Sequence, residues 1–201
     1  LNSSLAELGW KNCFQQQLSL EEWEGFQPGR VIQQHKSELQ VLTEDGPVIV
    51  NAPISANGGI EAVTVGDWLL LDTDKRIVRL LERASVFSRK AAGSKVEEQL
   101  IAANIDTLFI VTSLNNDFNL NRVERYLVLA HEAGVEPVVV LTKADLCQSE
   151  DFLNECIEKI QSLDGFLAVV ALNALDISER TKLAPWCATG NTLALLGSSG
   201  V

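Results

Sequence analysis

The stretch "PVVVLTKAD" (residues 137–145) runs from a continuous apolar segment directly into Thr142-Lys143-Ala144-Asp145. A short segment that is apolar at every position suits a strand buried on both faces of a parallel sheet. "TLFIVTSL" (107–114), "FLAVVAL" (166–172) and "TLALL" (192–196) have the same character. Helical patterns lie between these runs. Val123, Leu127 and Ala130 recur at helical spacing, Asn121 and Glu124 have the spacing of a capping box, and Gly134 provides a stop. Ser149 opens a second stripe formed by Leu153, Ile157 and Ile160, and a shorter helix is expected over residues 178–186. Strands alternating with helices in this way predict an α/β layer fold.

Ligands of open α/β sheets bind beyond the carboxyl ends of the strands. Three stretches at such ends carry chemistry. In the first, an Asp145 carboxylate could accept hydrogen bonds from both the ring N–H and the exocyclic amine of guanine, a donor pair that adenine lacks. Lys143 could lay its methylene stem along the base, and the Thr142 hydroxyl could tie neighbouring loops. The same tetrapeptide also fits the start of a helix, with Asp145 as its N-cap. The second stretch is Leu172-Asn173-Ala174-Leu175-Asp176, a plain turn or a loop that can present backbone N–H groups to a base carbonyl oxygen. The third is Gly197-Ser198-Ser199-Gly200-Val201, directly after "TLALL". It matches the first five positions of a phosphate loop, G-x-x-x-x-G-K-[ST], whose backbone N–H groups point at phosphate oxygens. Taken alone, the pentapeptide also fits a flexible tail. After a buried strand and two possible base-reading loops, the opening of a phosphate loop is the favoured reading, cut before its lysine.

The first half of the chain has a different rhythm. "GRVIQQH" (29–35), "LQVL" (39–42), "PVIV" (47–50), "DWLLL" (67–71) and "RIVRLL" (76–81) are short strand candidates. Asp45-Gly46, Asn57-Gly58-Gly59 and Asp72-Thr73-Asp74 separate them as turns. Five short strands suit a small closed barrel, of OB type or of SH3-like type. The expected organisation is an N-terminal arm over 1–27 anchored by Trp10 and Phe14, a barrel over 28–86, a connection over 87–101 and the α/β domain over 102–201.

Hydrophobic residues make up 46% of the 201 positions, enough for packed cores. No apolar run approaches the roughly 18 residues of a membrane-spanning helix. Cys13, Cys147, Cys156 and Cys187 are scattered and form no CxxC pair, so neither a zinc knot nor a redox motif is supported, and reduced thiols in the cytoplasm are expected. The net charge of -11 argues against non-specific coating of nucleic acid. Residues 1–91 hold nine basic and twelve acidic side chains, a net of -3, whereas residues 92–201 hold seven and fifteen, a net of -8. RNA contact through the first half is therefore permitted by charge but not indicated by it.

The order of the motifs is distinctive: "TKAD" first, "LNALD" second and "GSSGV" last. In an ordinary GTPase the phosphate loop precedes the guanine-reading motif. The order here resembles that of the circularly permuted RsgA (YjeQ) GTPase family, as do "AANIDTLFIVTSLNNDFNLNRVERYLVLA" (102–130), "GRVIQQH", "GDW" (66–68) and "SRKAAG" (88–93). The resemblance implies an OB-type barrel followed by a circularly permuted P-loop GTPase domain. It makes Thr142, Lys143 and Asp145 guanine contacts, with Thr142 standing where many members carry Asn. It places Asn173 and Ala174 at the second base-side motif and Gly197, Ser198, Ser199, Gly200 and Val201 at the opening of the phosphate loop.

The same resemblance implies GTP and GDP as ligands, Mg²⁺ as cofactor, and hydrolysis of GTP in late assembly of the small ribosomal subunit, faster when docked there. It implies contact of the barrel with ribosomal RNA, for which Arg30, His35, Lys36, Arg89 and Lys90 are candidates, and a monomeric complete protein. The phosphate-loop lysine, the Mg²⁺-binding hydroxyl, the switch regions and a zinc-binding C-terminal domain are expected beyond Val201. Without the charges that stabilise the transferring phosphoryl group, the 201-residue chain is expected to show no useful magnesium-dependent GTP hydrolysis, and measurable phosphate release would contradict this. The family's sheet order further implies that the chain keeps four adjacent strands, lacks the two that flank "TLALL", and leaves that strand as an edge open to pairing between copies. A non-catalytic RNA-binding module with a structural α/β half is the competing reading. An ATP-using P-loop protein is disfavoured by "TKAD".

Overall fold

The computed structural model describes residues 3–52, 62–90, 98–115 and 118–200, with the side chains of residues 89, 90 and 98 outside that description. The chain forms two compact units, Leu1–Ile105 and Asp106–Val201.

The first unit opens with the short helices α1 (Asn12–Gln15) and α2 (Leu20–Gly25). Strands β1 (Gln27–Gln34), β2 (Glu38–Thr43), β3 (Gly46–Asn51), β4 (Trp68–Leu71) and β5 (Ile77–Leu80) follow, all within two or three residues of the runs read from the sequence. They form an antiparallel sheet in the order β3-β2-β1-β4-β5. Here β4 returns to lie beside β1, the Greek-key arrangement of an OB-like sheet. The proposed turn Asn57-Gly58-Gly59 lies outside the described residues.

Successive side chains of a strand point to opposite faces, and β4 is buried on both. Leu69 and Leu71 join Val31, Leu39, Val41 and Val50 in one apolar cluster. Trp68 and Leu70 face the other way and pack with Leu5, Leu8 and Phe14 of the N-terminal arm. Trp10 meets Trp68 edge-on with ring centroids 4.8 Å apart, and Phe14 lies 5.9 Å from it. The arm is thus the cover of the sheet's second face. Its polar attachment runs through Arg79 of β5, which donates from Nε to Glu22 Oε1 at 2.7 Å and from Nη2 to Gln17 O at 2.7 Å. That guanidinium, with the Ser19 N–H second, holds the Glu22 carboxyl below the usual carboxylate range.

Gly66, in the "GDW" stretch, cannot be another residue. Its φ is +93°, and a Cβ there would lie 2.0 Å from the Ala103 carbonyl oxygen. The close approach lets Ala103 N–H donate to Val65 O at 2.9 Å. Ala103 belongs to a second sheet, in which β6 (Val86–Lys90) pairs antiparallel with β7 (Glu98–Ala103). The described residues of the stretch 87–101, expected to be an interdomain connection, therefore lie in a two-stranded ladder, and the first compact unit extends to Ile105. Its polar, basic sequence misleads because a two-stranded ladder has little core to fill.

In the second unit, β8 (Thr107–Ser113), β9 (Glu136–Thr142), β10 (Ala168–Ala171) and β11 (Leu193–Gly197) form a parallel sheet in the order β10-β9-β8-β11. Val138, Val139, Val140 and Leu141 are all buried, as a central strand requires. Helix α3 (Leu120–Ala133) presents Val123, Leu127 and Ala130 to the interior and ends at Gly134 with φ 71°. Its N-cap is Asn119, which accepts from Arg122 N–H, and not Asn121. The helix starts two residues earlier than the Asn121 capping box indicates. Helix α4 (Glu150–Gln161) begins after Ser149, whose hydroxyl accepts from Phe152 N–H. The helix expected over 178–186 is instead a 3₁₀ turn, Ile177–Leu183. Pro185 lacks the N–H that a continuing helix needs.

The chain builds outward from β8 to β9 to β10, then crosses back to lay β11 on the other side of β8. That reversal is a topological switch point, where the carboxyl ends of strands diverge and leave room for a ligand. Strand β11 pairs with β8 from Leu193 opposite Thr107 to Gly197 opposite Val111. Among the described residues it stands at the edge of four adjacent strands, as expected; the expected loss of both strands flanking it does not hold, because β8 is one of its neighbours. Leu195 on this strand is 68% exposed.

Candidate functional site

Three segments leave the carboxyl ends of β9, β10 and β11, and each contains one of the motifs read from the sequence. Lys143, directly after β9, adopts φ 57° and ψ 36°, the left-handed region that non-glycine residues rarely occupy. Such conformations persist where surrounding contacts hold them, and they gather at functional sites. Here the contacts are visible. The Lys143 Nζ donates to Gly200 O at 2.6 Å, which binds the first segment to the glycine-bearing third. Ala144 N–H donates to Leu172 O at 3.2 Å, which binds the first segment to the second.

The sharp turn at Lys143 starts a short 3₁₀ segment, Ala144–Leu146, containing Asp145. Asp145 is exposed, and among the described residues its carboxylate has no hydrogen-bond partner. It does not cap the following helix, because Ser149 does so. The helix-cap reading of the tetrapeptide is thereby excluded, and an acceptor-only side chain is left facing solvent beside two loops. Thr142 lies on the inner side of this segment and is 5% exposed. Its Oγ1 is 3.5 Å from Thr112 O, longer than a well-formed O–H···O bond, so its hydroxyl faces β8 instead of tying loops.

The second segment is shaped by its own side chains. Asn173 Oδ1 accepts from Leu175 N–H at 2.9 Å, and Asn173 O accepts from Asp176 N–H at 3.0 Å. Asn173 N–H donates to Glu179 Oε2 at 3.0 Å, whereas exposed Ala174 keeps an N–H with no partner among the described residues. Glu179 was not signalled by the sequence. Its link to Asn173 spans six residues through a 3₁₀ turn and follows no strand or helix period. The Lys182 ammonium, with Asn173 N–H second, holds the Glu179 carboxyl below the ordinary carboxylate range.

The third segment carries Gly197 at the end of β11, Ser198, Ser199, and Gly200 with φ 83°. A left-handed residue is one half of the αR–αL pair from which an anion-binding nest is built. Val201 lies outside the described residues.

The candidate RNA contacts divide. Arg30 is committed internally: Nη1 donates to Leu8 O at 2.7 Å, Nη2 donates to Asn104 O at 3.0 Å, and the guanidinium sits 5.8 Å from the Trp68 ring centroid. It locks the arm to β1, which corrects its assignment as a surface contact. His35 and Lys36 are exposed between β1 and β2. The side chains of Arg89 and Lys90 lie outside the described residues. Among the described residues no group of three or more His, Cys, Asp and Glu is arranged to hold a metal ion, and no helix is long and apolar enough to cross a membrane.

Comparison with known proteins places these features in context. The family model described as RsgA GTPase matches residues 80–201. The small ribosomal subunit biogenesis GTPase RsgA 2 of Vibrio parahaemolyticus is 52% identical over 200 residues, spanning 100% of this chain and 54% of that protein. The protein of the same name from Vibrio vulnificus is 52% identical over 198 residues, spanning 98% and 55%. The small ribosomal subunit biogenesis GTPase RsgA of Mesorhizobium japonicum is 42% identical over 199 residues, spanning 98% and 56%. The chain thus spans about half the length of the curated relatives it matches. Among solved structures, YjeQ from Thermotoga maritima superposes with a TM-score of 0.67 at 20% identity, covering 87% of this chain and 61% of that one. YloQ, described as a circularly permuted GTPase, superposes with a TM-score of 0.68 at 19% identity and the same coverages. At these identities the two structures speak for the fold.

Proposed function

Because the chain belongs to the RsgA GTPase family, we propose that its second unit holds a guanine nucleotide at the switch point between β8 and β11. The supporting observation is the hydrogen bond from Lys143 Nζ to Gly200 O at 2.6 Å, which joins the base-reading segment to the phosphate-side segment. Asp145 accepts the guanine N1–H and the exocyclic amine. The Lys143 stem covers the base. The Ala174 N–H faces the 6-oxo oxygen, and the backbone of residues 197–200 starts the cradle for the phosphates. The residues present fit a purine nucleotide: an exposed carboxylate and an N–H, both without a partner among the described residues, stand on adjacent, mutually bonded loops.

Bound Mg²⁺ would neutralise charge on the phosphates during GTP hydrolysis. For the complete protein the reading is a GTP-hydrolysing factor in assembly of the small ribosomal subunit, as the names of its relatives state for them. The OB-like unit is the RNA-facing part, with His35 and Lys36 as surface candidates. Isothermal titration of the chain with GDP, ADP and CDP tests the site. Heat of binding with GDP and none with ADP or CDP is the expected result. Equal binding of all three, or binding of ADP in preference, would remove the base-reading role of Asp145.

A further inference from the structure

Glu179 and Lys182 lie in the 3₁₀ turn Ile177–Leu183, outside every motif discussed for nucleotide binding. Glu179 Oε2 accepts from Asn173 N–H at 3.0 Å and from Lys182 Nζ at 2.8 Å. Lys182 Nζ also donates to Ala171 O at 3.0 Å. The pair therefore braces the loop after β10 from both sides: the last carbonyl of the strand and the first amide past Leu172. Downstream, Leu175 N–H is taken by Asn173 Oδ1. Of three successive amides, at 173, 174 and 175, the outer two are occupied inside the protein, and among the described residues only the middle one has no partner.

That selection has a chemical meaning. A loop with three free N–H groups offers a diffuse electropositive surface to any acceptor. A loop with one free N–H, held by bonds on either side, offers a single directed donor, and a preformed donor costs less to order when the ligand arrives. A carboxylate suits the brace, because an ionised acceptor makes a stronger bond to a backbone N–H than a neutral one does. We infer that Glu179 is a positioning residue for guanine recognition, which by occupying Asn173 N–H presents Ala174 N–H alone to the 6-oxo oxygen of the base. The inference rests on the guanine-site reading given above.

The test has two arms. In the nucleotide-free, ¹⁵N-labelled chain, Asn173 amide hydrogen exchange is slow in the parent and in Glu179→Gln, which retains an acceptor, and fast in Glu179→Ala. In the second arm the parent and Glu179→Ala are titrated with GDP and with the diphosphate of 2-aminopurine riboside, which keeps the exocyclic amine read by Asp145 but lacks both the 6-oxo group and the N1–H, so that it binds the parent more weakly and only the change between parent and variant is compared for each nucleotide. Glu179→Ala is expected to lose about tenfold in GDP affinity, the worth of one well-placed hydrogen bond, and to change little toward the 2-aminopurine nucleotide. Glu179→Gln is expected to recover most of the loss. An equal fall for both nucleotides, or no change in Asn173 exchange, would overturn the positioning role while leaving the guanine site intact. If the parent binds neither nucleotide, the guanine-site reading itself fails and takes the inference with it.

Discussion

Asp145→Asn is expected to lower affinity for GDP by about two orders of magnitude and to raise affinity for the xanthine nucleotide XDP. Asp145 is exposed and unpartnered among the described residues, so the substitution disturbs no internal contact. Its effect therefore reports ligand chemistry and not folding. The carboxylate offers two acceptors to two guanine donors. Losing a charge-assisted pair, and setting an amide donor against the guanine amine, removes about 3 kcal/mol. Xanthine carries a carbonyl in place of that amine, so the side-chain amide of the variant donates where the Asp145 carboxylate accepts. Competition titrations with GDP and XDP measure the exchange. Unchanged preference for GDP in the variant would remove Asp145 from the base site.

The second large effect is structural. Asp67→Ala is expected to destabilise the first unit by about 3–5 kcal/mol, the usual consequence of stripping one partner from a buried ion pair. Asp67 is 0% exposed. Its Oδ1 accepts from Arg83 Nε at 2.7 Å, and its Oδ2 accepts from Arg83 Nη2 and from Thr64 N–H, both at 2.8 Å. The Arg83 side chain is only 16% exposed, so the truncation removes the carboxylate from a largely buried guanidinium. Set against typical domain stabilities of about 5–15 kcal/mol, the loss is large. Urea unfolding followed by tryptophan fluorescence is a suitable readout, because Trp10, Trp23 and Trp68 all belong to this unit. A loss below about 1 kcal/mol would show that the pair is no better than a surface salt bridge.

The elements of the second unit were legible because burial on both faces leaves uninterrupted apolar runs, as at 138–141. The barrel strands were legible through turn residues at Asp45-Gly46 and Asp72-Thr73-Asp74. The ladder of β6 and β7 was not, since its polar residues mimic a linker. The motif residues of the site were readable as types at strand ends, and the loops that carry them are joined by bonds from Lys143 and Ala144. What could not be read was anything set by backbone partners distant in sequence. Arg30 reads as a free cation, yet its partners are carbonyls 22 and 74 residues away. Glu179 reads as a surface acid on a helix, yet it braces a loop through a backbone amide.

Three segments reached in permuted chain order are proposed to form one nucleotide site. An ¹⁵N–¹H titration of the chain with GDP tests it most directly. Amide shifts at residues 143–146, 173–175 and 197–200 are expected to move together and saturate with one dissociation constant. Shifts confined to a single segment, or three segments saturating with different constants, would contradict it.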